Sequence, residues 1–273
     1  MFRVETTRTP ARTALGLAEL IFHAAVRSIR KTHGNAVIGL AMQMLQAIMM
    51  IAIFYLMFAL LGMKSTALRG DFLLYIMSGI FMFTTHIKAV GAVSGAEGPT
   101  SAMMKHAPMN TIVAIFAAAL GALYLQFISA VVILFAYHVL WQPISLEYPV
   151  QTLGMFMLSW GTGCAVGMIF LAMKPFAPEV TGILNMLYQR GNMVASGKMF
   201  VANAMPTYIL AYFDWNPLFH IIDQTRGFVF LNYAPRYSSI SYPVIVMLVC
   251  LVLGLMGEFY ARRHVSASWF AGK

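Results

Sequence analysis

Four long runs without a single Asp, Glu, Lys or Arg constrain this sequence more than any other feature: residues 36–62, 111–140, 150–173 and 242–257. A helix rising 1.5 Å per residue crosses a bilayer with about 20 mostly apolar residues, so each run other than the last has the length of a span, and the last reaches it with its flanks. Residues 72–96 add another, with His86 and Lys88 toward one end. Composition agrees: 60% of the 273 residues are hydrophobic and 10% are charged, with a mean hydropathy of +0.75. A soluble domain needs more polar surface than this.

The chain therefore reads as an all-α polytopic membrane protein in one domain, with spans at 36–62, 72–96, 111–140, 150–173, 180–197 and 242–259. The fifth is broken by Arg190, Gly191 and Gly197, and the stretch after it by Lys198 and Pro206. In lipid, interrupted backbone must find other partners, so residues 198–230 are expected to form a re-entrant helical hairpin on the outer side, sheltered by protein. Residues 14–31 place Leu15, Ala18, Phe22, Val26 and Ile29 on one helical face and Glu19, His23, Arg27 and Lys31 on another. That pattern predicts an amphipathic helix along the cytoplasmic membrane surface, or an ordinary soluble helix preceding the first span.

Six spans put both termini on one side. Twelve Lys and Arg then fall on that side and six on the other, and basic residues near spans are retained in the cytoplasm, so both ends are expected there. The stretch before the first apolar run is long and basic, unlike a cleaved leader. The net charge of +9 flanks spans and forms no stripe, which argues against nucleic acid. Cys164 and Cys250 lie inside apolar runs and read as small buried side chains.

Enzyme motifs are missing. The sequence holds no H-E-x-x-H, no Cys/His set at zinc spacing and no G-x-S-x-G. "GNMVASGKM" is the nearest approach to a phosphate loop, but it has five residues between its glycines and Met199 in place of Ser or Thr. No catalytic residue, metal or cofactor is expected in this chain, and any ATP-driven work needs a separate polypeptide.

The polar groups concentrate in "DWNPLFHIIDQTRGF". Asn216 before Pro217 predicts a helix start, since Asn caps free N–H groups and Pro suits the first helical position. His220, Asp223 and Arg226 step by three along one flank and are placed to pair with one another. An unpaired charge at mid-membrane costs about 2.5–3.5 kcal/mol, so such a flank belongs near an interface or cavity, either as a structural fastener or as a polar lip that substrate passes. Phe54, Tyr55 and Phe58, with Tyr124 and Phe127, are placed either to stack on sugar rings along a conduit or to pack helices.

At this point the sequence resembles the permeases of type-2 ABC exporters, above all those for capsular polysaccharide. "NPLFHIIDQTRGF" is similar to their segment before the last span, and "SGKMF" followed by "AMP" to the stretch upstream of it. "GAEGPTSAMMKHAPMNTIVAIFAAA" resembles their loop into span three, and "RSIRKTHGNAVIGLAMQML" their entry into span one. The resemblance runs from about Arg27 to His264. It implies a homodimer paired with two ATP-binding cassette subunits, which hold ATP and Mg, exporting a lipid-linked glycan through the bacterial inner membrane; a periplasmic export channel is a further partner to look for.

The same resemblance implies ATPase coupling at Arg27, Arg30, Lys31, Glu97, Lys105 and Pro108, and an outer gate of Asn216, Pro217, His220, Asp223 and Arg226. Lys198 departs from the apolar residue usual in that family; it joins Phe54, Tyr55, Phe58 and Tyr124 as a conduit candidate, or pairs with Asp214. Rival readings are a type-2 permease for a drug, lipid or haem, an ion-coupled carrier using His86, His138 and Asp223, and a membrane enzyme acting on lipid-linked sugars.

Overall fold

The computed structural model describes residues 16, 19–26, 36–60, 62, 71–96 and 111–271, with side chains to 264. Every regular element among the described residues is helical. The major helices are α1 (Ala36–Leu60), α2 (Phe72–Ser94), α3 (Thr111–Leu140), α4 (Pro149–Met173), α5 (Pro178–Ala195), α6 (Pro217–Val229) and α7 (Ser241–Ala271). Residues 19–26 are helical, inside the expected amphipathic segment. Among the described residues five helices, α1 to α4 and α7, are long and apolar enough to cross a membrane. α5 spans 18 residues, two of them beyond the expected start at 180, and is less apolar than those five. α7 continues past the expected end at 259, carried through Glu258 and Arg262, which pair at 2.7 Å one turn apart.

Helix starts follow the local chemistry. The Asp71 side chain accepts from the Leu73 N–H at 2.9 Å and caps α2. α4, α5 and α6 each begin at a proline, where the missing donor costs nothing.

α2 is the central helix, enclosed by α1, α3, α4 and α6. Its contact with α4 is a close parallel approach built on small residues. Ser159 Oγ donates to the Met82 carbonyl at 2.7 Å. One turn on, a Cβ at Gly163 would strike the His86 carbonyl, and at Gly167 it would lie 2.9 Å from that of Val90. Helices in lipid lack a water-driven force between them, and backbones this close gain dispersion contacts instead. The second Gly-x-x-x-Gly pair, Gly91 and Gly95, makes no such approach: a Cβ on Gly91 would meet nothing within 4 Å.

On its other flank α4 packs parallel to α7, where a Cβ on Gly254 would lie 2.7 Å from Met168 Cβ. These registers place the starts of α2, α4 and α7 toward one end of the bundle. α5 runs antiparallel to α2, since Asn185 bonds Ser94 while Tyr188 bonds His86. Just past its end, Lys198 reaches Gly79, seven residues inside the start of α2. There the chain reverses through Gly197, which adopts φ +71° under the Phe219 ring. A short 3-10 turn (Ala202–Ala204) and one helical turn (Thr207–Leu210) lead into α6.

Candidate functional site

α6 lies between α2, α4 and α7, and it is buried almost all round. Asn216 makes its first turn. The Asn216 side chain accepts from Leu218 N–H at 3.0 Å, and its amide donates to Ala195 O at 2.9 Å and Asn192 Oδ1 at 3.0 Å. One residue thus caps α6 and ties it to the last turn of α5, satisfying donors and acceptors that both helix ends leave open.

Arg226 is 1% exposed and reaches three carbonyls of the 197–200 turn: Nη1 donates to Gly197 O at 3.1 Å and Phe200 O at 2.6 Å, and Nη2 to Lys198 O at 2.7 Å. Its guanidinium carbon lies 4.3 Å from the centre of the Tyr75 ring on α2. Asp223 accepts from the Tyr233 and Ser238 hydroxyls, the latter at 2.6 Å. His220 Nδ1 accepts from Ser239 N–H at 3.1 Å, which assigns the proton to Nε2, where it is donated to Asp214 O at 2.6 Å. Gln224 donates to Ser238 O at 2.9 Å.

The expected mutual pairing of His220, Asp223 and Arg226 is therefore not what the structure shows. Each bonds outward to a different piece of chain. Arg226 pins the turn before α6, while His220, Asp223 and Gln224 pin the 233–239 strap after it. Turn carbonyls and strap donors that find no regular ladder must be bonded when buried, and these side chains supply the partners.

Lys198 is 4% exposed and donates to Met193 O at 2.8 Å, an open carbonyl at the end of α5. Its ammonium lies 3.4 Å from the centre of the Phe83 ring and 5.4 Å from that of Phe54. It does not pair with Asp214, whose carbonyl serves His220. Of the conduit candidates, Lys198 meets Phe54, and Tyr55 and Phe58 meet through Phe72, while Tyr124 stands apart. Phe54 and Phe58 are buried against α2, Tyr124 is exposed on α3, and Tyr55 lines a cavity of about 520 Å³ with Asp71, Phe72, Tyr137 and Trp141. The coupling candidates Arg27, Arg30, Lys31, Glu97, Lys105 and Pro108 lie outside the described residues.

A second polar seam was expected as a site only at His86, in the ion-coupled reading. α5 turns Asn185, Tyr188 and Asn192 toward the bundle. Asn185 donates to Ser94 Oγ at 2.9 Å, and Asn192 meets Asn216. His86, fully buried, lies within 3.0 Å of Thr162 Oγ1 through Nδ1 and 2.8 Å of the Tyr188 hydroxyl through Nε2. Ser159 O near Nδ1 can only accept, which puts the proton on Nδ1 and makes Tyr188 the donor to Nε2. The signal was present in "NMLYQRGN", where polar residues recur every three or four positions.

His86, His138 and Asp223 are dispersed as well. His138 accepts from Ile144 N–H at 2.9 Å at the end of α3, far along the chain from either of the others. Among the described residues a relay through the three has no continuous path of bonds. Among the described residues no group of His, Cys, Asp and Glu could hold a metal ion.

No protein-family model matches the chain. Among curated proteins it is similar to the polysialic acid transport protein KpsM of Escherichia coli: 27% identical over 193 residues, covering 68% of this chain and 71% of the relative. A second sequence of that name from the same organism is 26% identical over the same length.

Proposed function

We propose that this chain is the membrane-spanning subunit of an ATP-driven exporter that carries a cell-surface polysaccharide across the bacterial inner membrane. The observation that carries the reading is the likeness, over 68% of the chain, to transport proteins named for an acidic sugar polymer. Five apolar helices and the lack of a phosphate loop in the sequence support it. In this reading α5 is a sixth crossing, made less apolar because it borders a path and not lipid alone. The segment 198–230 is a re-entrant hairpin held in the outer part of the bundle, and its α6 closes the outer side.

Two copies of the chain associate with two ATP-binding cassette subunits, which contact the N-terminal segment around Arg27, Arg30 and Lys31 and the loop holding Glu97, Lys105 and Pro108. ATP and Mg belong to those partners. Both termini are cytoplasmic, and the cargo is a lipid-linked glycan. Movement of the two copies against each other would expose the path alternately to either side.

Capture of the tagged chain from its native membranes tests this. The expected result is co-purification of a protein with a phosphate loop, whose ATP turnover rises with a glycolipid and not with a hydrophobic drug or haem. Recovery of the chain with no such partner would overturn the reading, and a response to drug alone would assign a different cargo.

A further inference from the structure

Apart from Glu179 in its first turn and Arg190, α5 directs its polar residues inward, so its outward face is what the rest of the described chain leaves open. Ile183, Met186, Leu187 and Val194 are exposed there, and among them, directly opposite Tyr188 and Asn192 around the helix, stands Arg190. Arg190 is exposed and has no partner among the described residues. Its level is fixed by its neighbours. Tyr188 bonds His86, and Lys198 lies beside Gly79, so Arg190 stands at about the middle of α2.

Lipid is a poor environment for a cation at that depth. The other exposed helices show what a lipid-facing surface of this protein looks like: α1 holds no charge over its whole length, and α7 presents Ile245, Leu248, Val249, Val252 and Leu255 with none before Glu258. α5 alone among these breaks that rule at mid-depth.

We propose that Arg190 lines a water-filled path and binds the carboxylates of an acidic sugar polymer as it passes. The inference rests on the polysaccharide-export reading for its cargo and on the geometry of α5 for its site. A guanidinium offers paired N–H donors that match a carboxylate and remain charged at any working pH. The relatives are named for polysialic acid, an acidic sugar polymer. The apolar residues flanking Arg190 offer no competing bonds, so one charged contact supplies attraction without holding the chain fast.

Two measurements test it on the full-length protein. In native membranes of a Cys164→Ala, Cys250→Ala background, Arg190→Cys and Val249→Cys are compared for reaction with a negatively charged methanethiosulfonate. Arg190→Cys is expected to react at least about tenfold faster, since only a hydrated thiol ionises readily. Equal, slow reaction would overturn the proposal, and so would a disulfide between two copies at this position without labelling, which would make the face a subunit contact.

The purified protein with its captured partner is then titrated with oligosialic acid, a neutral oligosaccharide of equal length and inorganic phosphate. Arg190→Gln is expected to weaken oligosialic acid binding by about tenfold or more, with Arg190→Lys retaining most of it and the neutral sugar unaffected. Unchanged binding in Arg190→Gln, or an effect on phosphate alone, would overturn it. Fast labelling with no captured ATPase would instead sink the export reading and leave the aqueous face standing.

Discussion

α6 and α5 each carry an arginine into an apolar protein, and they treat it in opposite ways. Arg226 on α6 is enclosed, with three carbonyls and an aromatic ring around its guanidinium. Arg190 on α5 is exposed, with no partner among the described residues. The difference separates two uses of charge in an apolar medium. A buried cation that meets open backbone carbonyls holds irregular chain in place, because those carbonyls have no water to turn to. A cation left facing outward, deeper along α2, has no carbonyls to hold, so in the proposed reading its position is explained by what passes it.

The largest effect should come from emptying the enclosed site. Arg226→Ala leaves the carbonyls of Gly197, Lys198 and Phe200 without their donors, and the loss of one partner from a buried charged network costs about 3–5 kcal/mol. The expected outcome is a sharp fall in the thermal unfolding temperature of the purified protein, with much less of it recovered from membranes. Arg226→Lys keeps the charge but lacks the planar fork, so it should recover only part of the loss. A stable Arg226→Ala protein that fails to export would break the comparison, because it would make Arg226 a gate residue and not a fastener.

The contrast also marks how far the sequence could be read. Lipid demands unbroken apolar runs, so α1 to α4 and the start of α7 were visible at nearly their observed bounds. The Asn-Pro start of α6 was equally plain, because a cap is decided within three residues. What could not be read was partner choice. His220, Asp223 and Arg226 share a flank, and local spacing suggested that they bond one another. The structure shows that groups 6 to 29 residues away, backbone for His220 and Arg226 and hydroxyls for Asp223, compete successfully for them. The polar side of α5 was legible as a pattern, but its partners His86 and Ser94 lie on a helix about a hundred residues earlier.

An intermediate effect is expected where the two regions join. Asn216→Ala removes the cap of α6 and both bonds to the end of α5, while the flanking Pro217 still favours a helix start. Loss of an N-cap alone costs about 1–2 kcal/mol. The measured fall in unfolding temperature should be clear but smaller than that of Arg226→Ala. Asn216→Asp restores the accepting oxygen and not the amide donor, so the gap between the two variants isolates the link to α5. If Asn216→Asp matches the native protein, that link is dispensable and the two helices are independent.

The smallest effect is expected at Lys198, which tests whether enclosure alone makes a cation a fastener. Lys198 is as hidden as Arg226, yet it donates to a single carbonyl, that of Met193, and otherwise faces the rings of Phe83 and Phe54. Its attraction to those rings and to the negative end of α5 is set against the cost of taking an ammonium out of water. Lys198→Met keeps a similar volume and removes both sides of that balance, so the net change should stay within about 1 kcal/mol of zero. An unfolding temperature within a few degrees of native is the outcome that fits. A collapse as deep as that of Arg226→Ala would show that one carbonyl and two rings suffice to make a fastener, and that the number of bonded carbonyls is the wrong measure of what holds the 197–200 turn.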